Sequence, residues 1–515
     1  YIVAVHGPSR SGKSTLIKSL VRYYSKRSLS KIGGPITLIA SRKRRLTFIE
    51  CGCDTASMLD AGKIADLAIC IIDIRKGIEK DTFEFINVLK THGMPRVIGV
   101  LTFIDEFADN KRLKKTKKQI RRRFWGDLYE GALLFMMNGI KSRLYLRRQV
   151  ITLHRFISNK EFHPTEWRSR HPYLLALTST LNHKSETEAS VTFTGYLRGY
   201  HLLQNQIFCI PGCGVFPCSA VASKHDPCEL DATAAKSKSN AISKLGVAAC
   251  KIFAPGSGLS GIELLEEGIY LNREAAQQNP AAKTAPAYSD SSEDDSDKGA
   301  VTRANEQLET GRNGIVVLGG VLPNELLLTN LLCKVKKHRW APRVLKSTEP
   351  LLFSIGWARF QSLPYFAIED RNSVRLRYLK YTPENMHALM CISGYAVAPQ
   401  TGVLAMKYFD CAYEDWRISL TGSVVELREE PRIVKKLKLV GDVESIMINT
   451  AYIKNMFNSR FEVSRCVGAK IQTVSGIRGV IKAPSNDSGS FRATFEAKIQ
   501  PNDVVFCKAW VKVPV

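Results

Sequence analysis

The 515-residue sequence has no apolar run of about 18 residues, so no helical membrane span is expected. It has no Cys-x-x-Cys pair, and 13 cysteines over this length are far from the density of a disulfide-stapled secreted domain. A reducing compartment is therefore the default. One stretch gathers Cys209, Cys213, Cys218, His225 and Cys228, but only Cys209 and Cys213 approach the spacing of paired zinc ligands. Separate buried thiols in strands are expected there instead of a metal site. Acidic residues are scarce: 48 Asp and Glu face 74 Lys and Arg, a net charge of +26. Such an excess points to a polyanionic partner, held through phosphate contacts and counterion release. The sequence opens on Tyr1, inside a strand-like run and without Met, so residues ahead of it are expected, and whether they hold a targeting segment stays open.

The length implies several domains. Residues 1 to 165 alternate strand and helix patterns. Strands are expected at 1–6, 46–49, 67–73, 96–102 and 132–137, and helices at 14–25 and 111–125. That alternation predicts a doubly wound parallel sheet. Residues 166–279 carry short β-rich runs at 191–197, 206–210 and 247–253, separated by Gly and Pro, the pattern of a small barrel. Residues 280–312 are polar, with an acidic Ser/Asp run at 289–297, and read as a linker or insertion. Residues 313–515 are again β-rich, with strands expected at 314–318, 351–355, 403–408, 418–426, 469–473 and 503–509. The resemblance between 421–424 and 475–480 suggests equivalent turns in two β modules.

The decisive chemistry is at the start. Gly7-Pro8-Ser9-Arg10-Ser11-Gly12-Lys13-Ser14-Thr15 fits G-x-x-x-x-G-K-[ST], with a strand before it and a helix after it. The glycines let the loop curl so that backbone N–H groups face phosphates. Lys13 supplies a cation to the β and γ oxygens, and Ser14 offers a hydroxyl to magnesium. A P-loop domain over 1–165 follows. The base is read by a later strand end, Thr102-Phe103-Ile104-Asp105. Asp105 can accept from the N1–H and exocyclic amine of guanine, which adenine does not present, and the Phe103 ring stands where a Lys stem usually covers the base. Asn138 and Gly139, after the strand expected at 132–137, join Gly7, Ser9, Arg10, Ser11, Gly12, Lys13, Ser14, Thr15, Thr102 and Asp105 in the expected nucleotide-binding set.

Thr37, in Gly34-Pro35-Ile36-Thr37, is the candidate switch threonine, ordered by magnesium and the γ-phosphate. The strand at 46–49 runs into Glu50-Cys51-Gly52-Cys53-Asp54, where a GTPase ordinarily has D-x-x-G and then a water-orienting residue. Glu50 is expected to hold magnesium through water, so Ser14, Thr37 and Glu50 form the expected metal set and Lys13, Thr37 and Glu50 the catalytic one. A negative Asp54 is a poor positioner of water beside phosphate, and slow intrinsic hydrolysis is expected. Gly256-Ser257-Gly258-Leu259-Ser260-Gly261 matches G-x-G-x-x-G but lacks a strand–helix context, and is read as a barrel loop and not a dinucleotide site.

These residues, taken with several further blocks, resemble the Bms/Tsr family of ribosome-biogenesis GTPases, and its Bms branch most. The blocks are Arg44-Arg45-Leu46-Thr47-Phe48-Ile49-Glu50-Cys51, His92-Gly93-Met94-Pro95-Arg96-Val97, Arg123-Phe124-Trp125, His171-Pro172-Tyr173, His338-Arg339-Trp340, Gly356-Trp357-Ala358-Arg359-Phe360-Gln361, Lys380-Tyr381-Thr382-Pro383-Glu384, Val434-Lys435-Lys436-Leu437-Lys438-Leu439-Val440-Gly441 and Thr473-Val474-Ser475-Gly476-Ile477-Arg478-Gly479. The resemblance implies a multidomain layout, an α/β P-loop GTPase domain followed by translation-factor-like β-barrel domains. It implies GTP/GDP and Mg2+ as cofactors, a GTPase activity, and assembly of the small ribosomal subunit within the processome of the nucleus and nucleolus. Pre-ribosomal RNA, small nucleolar RNA and processome proteins, an RNA-cyclase-like factor among them, are the implied partners. The alternatives are a GTP-bound scaffold that seldom hydrolyses, or a translation factor on mature ribosomes. Two basic stretches, 111–123 and 334–340, suit a folded RNA read through its backbone and shape. Arg359 and Arg478 are conceivable as arginines completing the site.

Overall fold

The computed structural model describes residues 1–41, 44–107, 109–183, 189–203, 205–230, 251–265, 268–271, 315–341, 343–369, 375–409, 415–428 and 432–513. The acidic run at 289–297, the rest of the expected linker at 280–312, and residues 247–250 of an expected strand lie outside them.

The first part is a seven-stranded sheet with helices on both faces. Its elements are β1 (Ile2–His6), α1 (Lys13–Ser25), β2 (Arg27–Leu29), β3 (Ile36–Ser41), β4 (Arg44–Glu50), α2 (Thr55–Ile64), β5 (Leu67–Asp73), α3 (Lys80–Thr91), β6 (Arg96–Thr102), α4 (Asn110–Asp127), β7 (Leu134–Met136), a hairpin of β8 (Ile140–Lys141) and β9 (Leu144–Tyr145), and α5 (Arg147–Asn159). β1 lies between β4 and β5, parallel to both, and β6 and β7 extend the parallel run. β2 lies outside this sheet. β1 and β5 are buried at every position, which is why they read as unbroken apolar runs. Successive residues of β1 enter opposite cores. Val3 and Val5 pack with Leu16, Ile17 and Leu20 of α1 and Leu153 of α5, whereas Ala4 packs with Met58, Phe85, Leu89 and Phe124 of α2, α3 and α4.

Three β assemblies follow. A five-stranded sheet has the order Ala189–Arg198, Tyr173–His183, Val317–Val321, Ile207–Ile210, Gly214–Pro217. Its middle strand therefore comes from beyond the expected linker. The strands between 328 and 428 build a curved sheet around Leu331, Phe353, Phe366, Met390 and Val403. Ile433–Ile446 pairs with both Thr450–Lys454 and Val504–Lys512, which closes a barrel through Phe491–Phe495, Arg478–Pro484 and Lys470–Thr473 around Ile453, Ile481 and Phe491.

Two expectations are corrected here. The strand expected at 247–253 is not a barrel strand: its described part, Ile252–Phe253, pairs with β3 at the edge of the α/β sheet. Residues 421–424 and 475–480 are not equivalent turns, because the first lies inside the long strand Asp415–Arg428 and the second spans the turn leading into Arg478–Pro484.

The curved sheet docks on α2 and α3. Leu59 and Val88 meet Leu404, Met406 and Ile418 in a buried apolar patch. Arg417 bonds Asp81 at 3.1 Å and Glu84 at 3.0 Å, and Arg359 bonds Asp60 and the carbonyl of Ala56. The Glu84 side chain is 1 % exposed. Burial raises its pKa, and the Arg417 charge works against that rise. Truncating one member of a buried pair leaves the other charge uncompensated. Arg417→Met is expected to cost about 3 kcal/mol in chemical denaturation, with part of the loss recovered by Arg417→Lys. Unchanged stability would mean that this pair does not hold the two parts together.

Candidate nucleotide-binding site

The site forms at the carboxyl end of the parallel strands, where open α/β sheets place their ligands. β1 ends at His6 and α1 begins at Lys13, so residues 7–12 must turn the chain within one short loop. Gly12 makes the turn with a left-handed φ of 101°, and a Cβ there would overlap the hydroxyl of Tyr145. No side chain caps α1, which leaves its first N–H groups free to meet an anion. Lys13 folds back across the loop, its Nζ donating to the carbonyls of Gly7 at 2.6 Å and Pro8 at 3.1 Å. Ser9 and Arg10 are exposed at the loop tip, Ser11 is buried beneath it, and Thr15 continues the first turn of α1.

Ser14 Oγ donates to Glu50 Oε1 at 2.7 Å. The sheet produces this meeting: Glu50 is the last residue of β4 and lies in register with Val5 of β1. A hydroxyl and a carboxylate converging beside a phosphate-type loop are the oxygen donors that a hard divalent cation such as magnesium takes.

Strand pairing also assembles the base-side residues. Thr102 ends β6 and its Oγ1 donates to the carbonyl of Ser11 at 3.1 Å, joining the end of β6 to the loop at 7–12. Asp105 follows, exposed, in the single 3-10 turn Ile104–Glu106. Asn138 and Gly139 lie alongside, because β7 runs parallel to β6 and Met137 N bonds the Leu101 carbonyl. The Asn138 N–H is held by Gln149 Oε1 at 2.9 Å, and Gly139 is left-handed at φ 70°.

Thr37 is not brought to this site. It pairs with Thr47, which is level with Ile2 at the opposite end of β1 from the loop. Five strand residues separate those levels, about 15 Å. The Thr37 hydroxyl is fully buried against Thr47 Oγ1 at 3.2 Å, and its carbonyl accepts from the Cys228 thiol. The two-residue strand Ile252–Phe253 then covers its other edge. Pairing with β4 on one side and this strand on the other overrides the switch role expected from the local motif.

The Gly256–Gly261 pattern is also corrected, from barrel loop to a backbone contact. Gly256 touches Gly33 so closely that a Cβ on Gly33 would overlap its carbonyl, and Ser257 Oγ accepts from Gly33 N at 3.2 Å. Gly258 N bonds the Lys31 carbonyl at 3.2 Å, and its own carbonyl accepts from Ser30 N at 2.9 Å.

Of the residues at 50–54, Asp54 is the N-cap of α2, its carboxylate accepting from Ser57 N at 2.8 Å. Cys53 Sγ sits 3.7 Å from Lys13 Nζ. His6 is fully buried behind the loop and packs against Phe85, with ring centroids 4.3 Å apart and the rings tilted by 31°. Burial, and then the Lys13 charge, push its pKa down to about 3, so the ring is neutral. The sequence reading passed over Arg75, Glu106 and Tyr145. Arg75 grips Asp73 and Glu106 with its guanidinium 3.9 Å from the Phe103 ring, so one face of that ring is already covered. Tyr145 backs Gly12, and burial, followed by the charges of Asp105 and Asp73, pushes its phenol up to about 12. The ionic partners that Asp73-Ile74-Arg75 would find 30 residues on were the only signal available. Arg359 reaches α2, not the loop, and Arg478 opens a strand of the closed barrel. The second basic stretch is partly spent on docking: His338 is buried against Asn87 at 3.0 Å, and Trp340 meets Phe83 with centroids 6.1 Å apart.

Residues 298–515 match the family model described as the C-terminal region of the 40S ribosome biogenesis proteins Tsr1 and BMS1, and residues 161–227 match the AARP2CN (NUC121) domain. The ribosome biogenesis protein bms1 of Schizosaccharomyces pombe is 28% identical over 875 aligned residues, covering 100% of this chain and 78% of that protein. Along its whole length the chain is similar to proteins of the Bms/Tsr family. Within this family, BMS1 of Saccharomyces cerevisiae is 23% identical, covering 100% of this chain and 80% of its own length. The human BMS1 homolog is 40% identical over 278 residues, which cover 53% of this chain and 21% of that protein. Among solved structures, the translation elongation factor SelB of Methanococcus maripaludis in complex with the GTP analogue GppNHp matches with a TM-score of 0.52. It is 14% identical and covers 100% of this chain and 98% of its own. The chain thus has the translation-factor architecture of a P-loop domain followed by β-barrel domains.

Lys63, on the α2 helix that Asp54 caps, is 2 % exposed, and its Nζ has no hydrogen-bond partner among the described residues. Burial, then the Arg359 charge, push its pKa down from 10.5 to about 7, with Asp60 opposing. The unfolded chain therefore binds more protons between those values, and stability rises with pH across that window. Lys63→Met is expected to raise the melting temperature at pH 7, with the gain shrinking as pH approaches 10.5. A gain that does not change with pH would contradict this account of the buried amine.

Proposed function

We propose that this chain binds GTP with magnesium, cleaves it slowly, and uses the cycle as an assembly factor for the small ribosomal subunit. The Ser14–Glu50 contact beneath an uncapped helix N-terminus carries this reading. Ser14 would ligate magnesium directly and Glu50 through water. The ion would supply charge neutralisation for the phosphates. Lys13, released from the loop carbonyls it now bonds, would turn to the same oxygens. Asp105 would accept from guanine, and Thr102, Asn138 and Gly139 would frame the base.

Slow cleavage follows from the groups facing the phosphate. Asp54 is engaged as a helix cap, and the buried Thr37 is far from the loop. The residues 50–54 lead directly into α2, and α2 holds the curved β sheet through Asp60 and Arg359. A rearrangement at 50–54 would shift α2 and hence that docking, which makes the cycle a conformational switch. The names of the relatives, ribosome biogenesis protein and pre-rRNA-processing protein, support the assembly role, and that role would place the chain in the nucleolus with pre-ribosomal RNA, small nucleolar RNA and processome proteins as partners.

The test compares equilibrium binding and single-turnover cleavage of GTP and ATP. GTP is expected to bind roughly 100-fold more tightly than ATP, because the Asp105 carboxylate would pair with the N1–H and exocyclic amine of guanine, which adenine does not present. Asp105→Asn should abolish that preference, and Lys13→Ala should abolish cleavage. Selective binding with no cleavage, even with pre-ribosomal particles added, would replace the switch by a GTP-bound scaffold. No preference for GTP would overturn the base assignment.

A further inference from the structure

On the outside of the closed barrel, the strands Ile433–Ile446 and Val504–Lys512 form a ribbon whose outward residues are cationic and aromatic. The antiparallel register places Lys436 opposite Trp510, Lys438 opposite Lys508 and Val440 opposite Phe506. Alternate positions point inward: Leu437 and Ala509, then Leu439 and Cys507. Lys436, Lys438 and Lys508 are exposed, and none of them makes an ion pair with a described residue. The nearest carboxylate along this face is Asp442 at the far end, which is held by Asn455 Nδ2 at 3.1 Å.

Two features mark the ribbon as more than a solvated face. Lys438 and Lys508 stand directly opposite each other, a like-charge pair that destabilises a sheet unless an anion lies between. The cations also rest on rings. Lys436 Nζ is 5.7 Å and the Arg375 guanidinium 5.6 Å from the Trp510 ring centroid, and Lys438 Nζ is 4.3 Å from that of Phe506. Trp510 is 36 % exposed. Rings interleaved with mobile cations at strand spacing are what a single-stranded nucleic acid uses, its bases stacking on the rings and its phosphates meeting the cations. An acidic peptide would use the lysines and leave the rings idle.

We propose that this ribbon is a binding site for single-stranded RNA. A base displaces the cation from the Trp510 face, and the released Lys436 or Arg375 moves to the adjoining phosphate. A second phosphate bridges Lys438 and Lys508 and relieves their repulsion. The inference rests on RNA being a partner, as proposed above, and adds which surface takes it and in which form.

The test measures binding of a fluorescent oligouridylate to the full chain by anisotropy, without nucleotide, so that its outcome is independent of the GTP site. The triple variant Lys436→Gln, Lys438→Gln, Lys508→Gln is expected to weaken binding at least about tenfold and to lower the salt slope by about 1.4, two phosphate contacts at ~0.7 each. Trp510→Ala should weaken binding about tenfold, and Trp510→Phe should retain most of it. GTP affinity should be unchanged in all of these, and the triple variant, relieved of the Lys438–Lys508 repulsion, should melt no lower than wild type. A matched triple on α4, Lys114→Gln, Lys115→Gln and Lys118→Gln, should have the smaller effect. Photocrosslinking of 4-thiouridine RNA to the wild-type chain should label the peptide containing Trp510, which checks the site without any variant. The proposal is overturned if the barrel variants bind RNA like wild type and the crosslinks fall elsewhere. It is also overturned if polyglutamate competes as well as RNA of equal charge and Trp510→Ala has no effect, which would make the face a docking site for an acidic protein.

Discussion

The conformation of one residue, Gly12, underlies the whole site. Its left-handed backbone ends the loop and starts α1 without a side-chain cap. That leaves the helix N–H groups and the positive end of the helix dipole facing the loop interior. The following residues inherit their directions from it: Lys13 reaches back over the loop, and one residue on Ser14 turns to Glu50. Tyr145 fills the space that a side chain at residue 12 would need, so the turn is enforced from behind. The loop is tied to the sheet by Thr102 and to β4 by Ser14, so base and phosphate residues are fixed to the same rigid strands.

From that site outward, the structure is joined by charge pairs set into an apolar seam. Leu59, Val88, Leu404, Met406 and Ile418 exclude water, and Asp60–Arg359 and Glu84–Arg417 lie beside them. Pairs this dry are poor glue but strict about geometry. In this alignment of α2 and α3 on the sheet, both carboxylates meet an arginine. The fit explains why segments such as His338–Trp340, basic and aromatic enough to suggest RNA, are drawn into the seam: neutral, buried His338 has no phosphate to meet, and burial pushes its pKa down to about 4.

What could be read from the residues was what depends on neighbours in sequence. The loop at 7–15 and the buried strands β5 and β6 stand where their patterns place them, because a fully buried strand needs only a continuous apolar run. The helix α4 is likewise local, with Asp109 capping it and only Ile120 and Phe124 buried. Thr37 failed because its role depends on partners 10 and 216 residues away, Thr47 and Phe253, and no local pattern reports a pairing of that kind. The helices α2 and α3 were not singled out, and α2 in particular has buried residues all round because it is covered by the sheet on one side and the β part on the other. The closed barrel was legible as β-rich sequence, but its closure is a matter of which strands meet, which periodicity does not carry.

The strand Val317–Val321 runs between Tyr173–His183 and Ile207–Ile210, and it arrives last of the five. During synthesis, the neighbours on either side are made long before the strand that joins them. The gap they leave holds until residue 321 has emerged, and Tyr173 and Val317 then share the core of Ile2, Ile49 and Ile64. The N-terminal part of the molecule is therefore completed by the far side of an excursion of roughly a hundred residues. Loop closure depends only weakly on the length of such an excursion, about 0.6 kcal/mol per doubling. Added length between Gly268–Leu271 and Val317–Val321 therefore costs little in closure, whereas loss of Val317–Val321 would leave the five-stranded sheet without its middle strand.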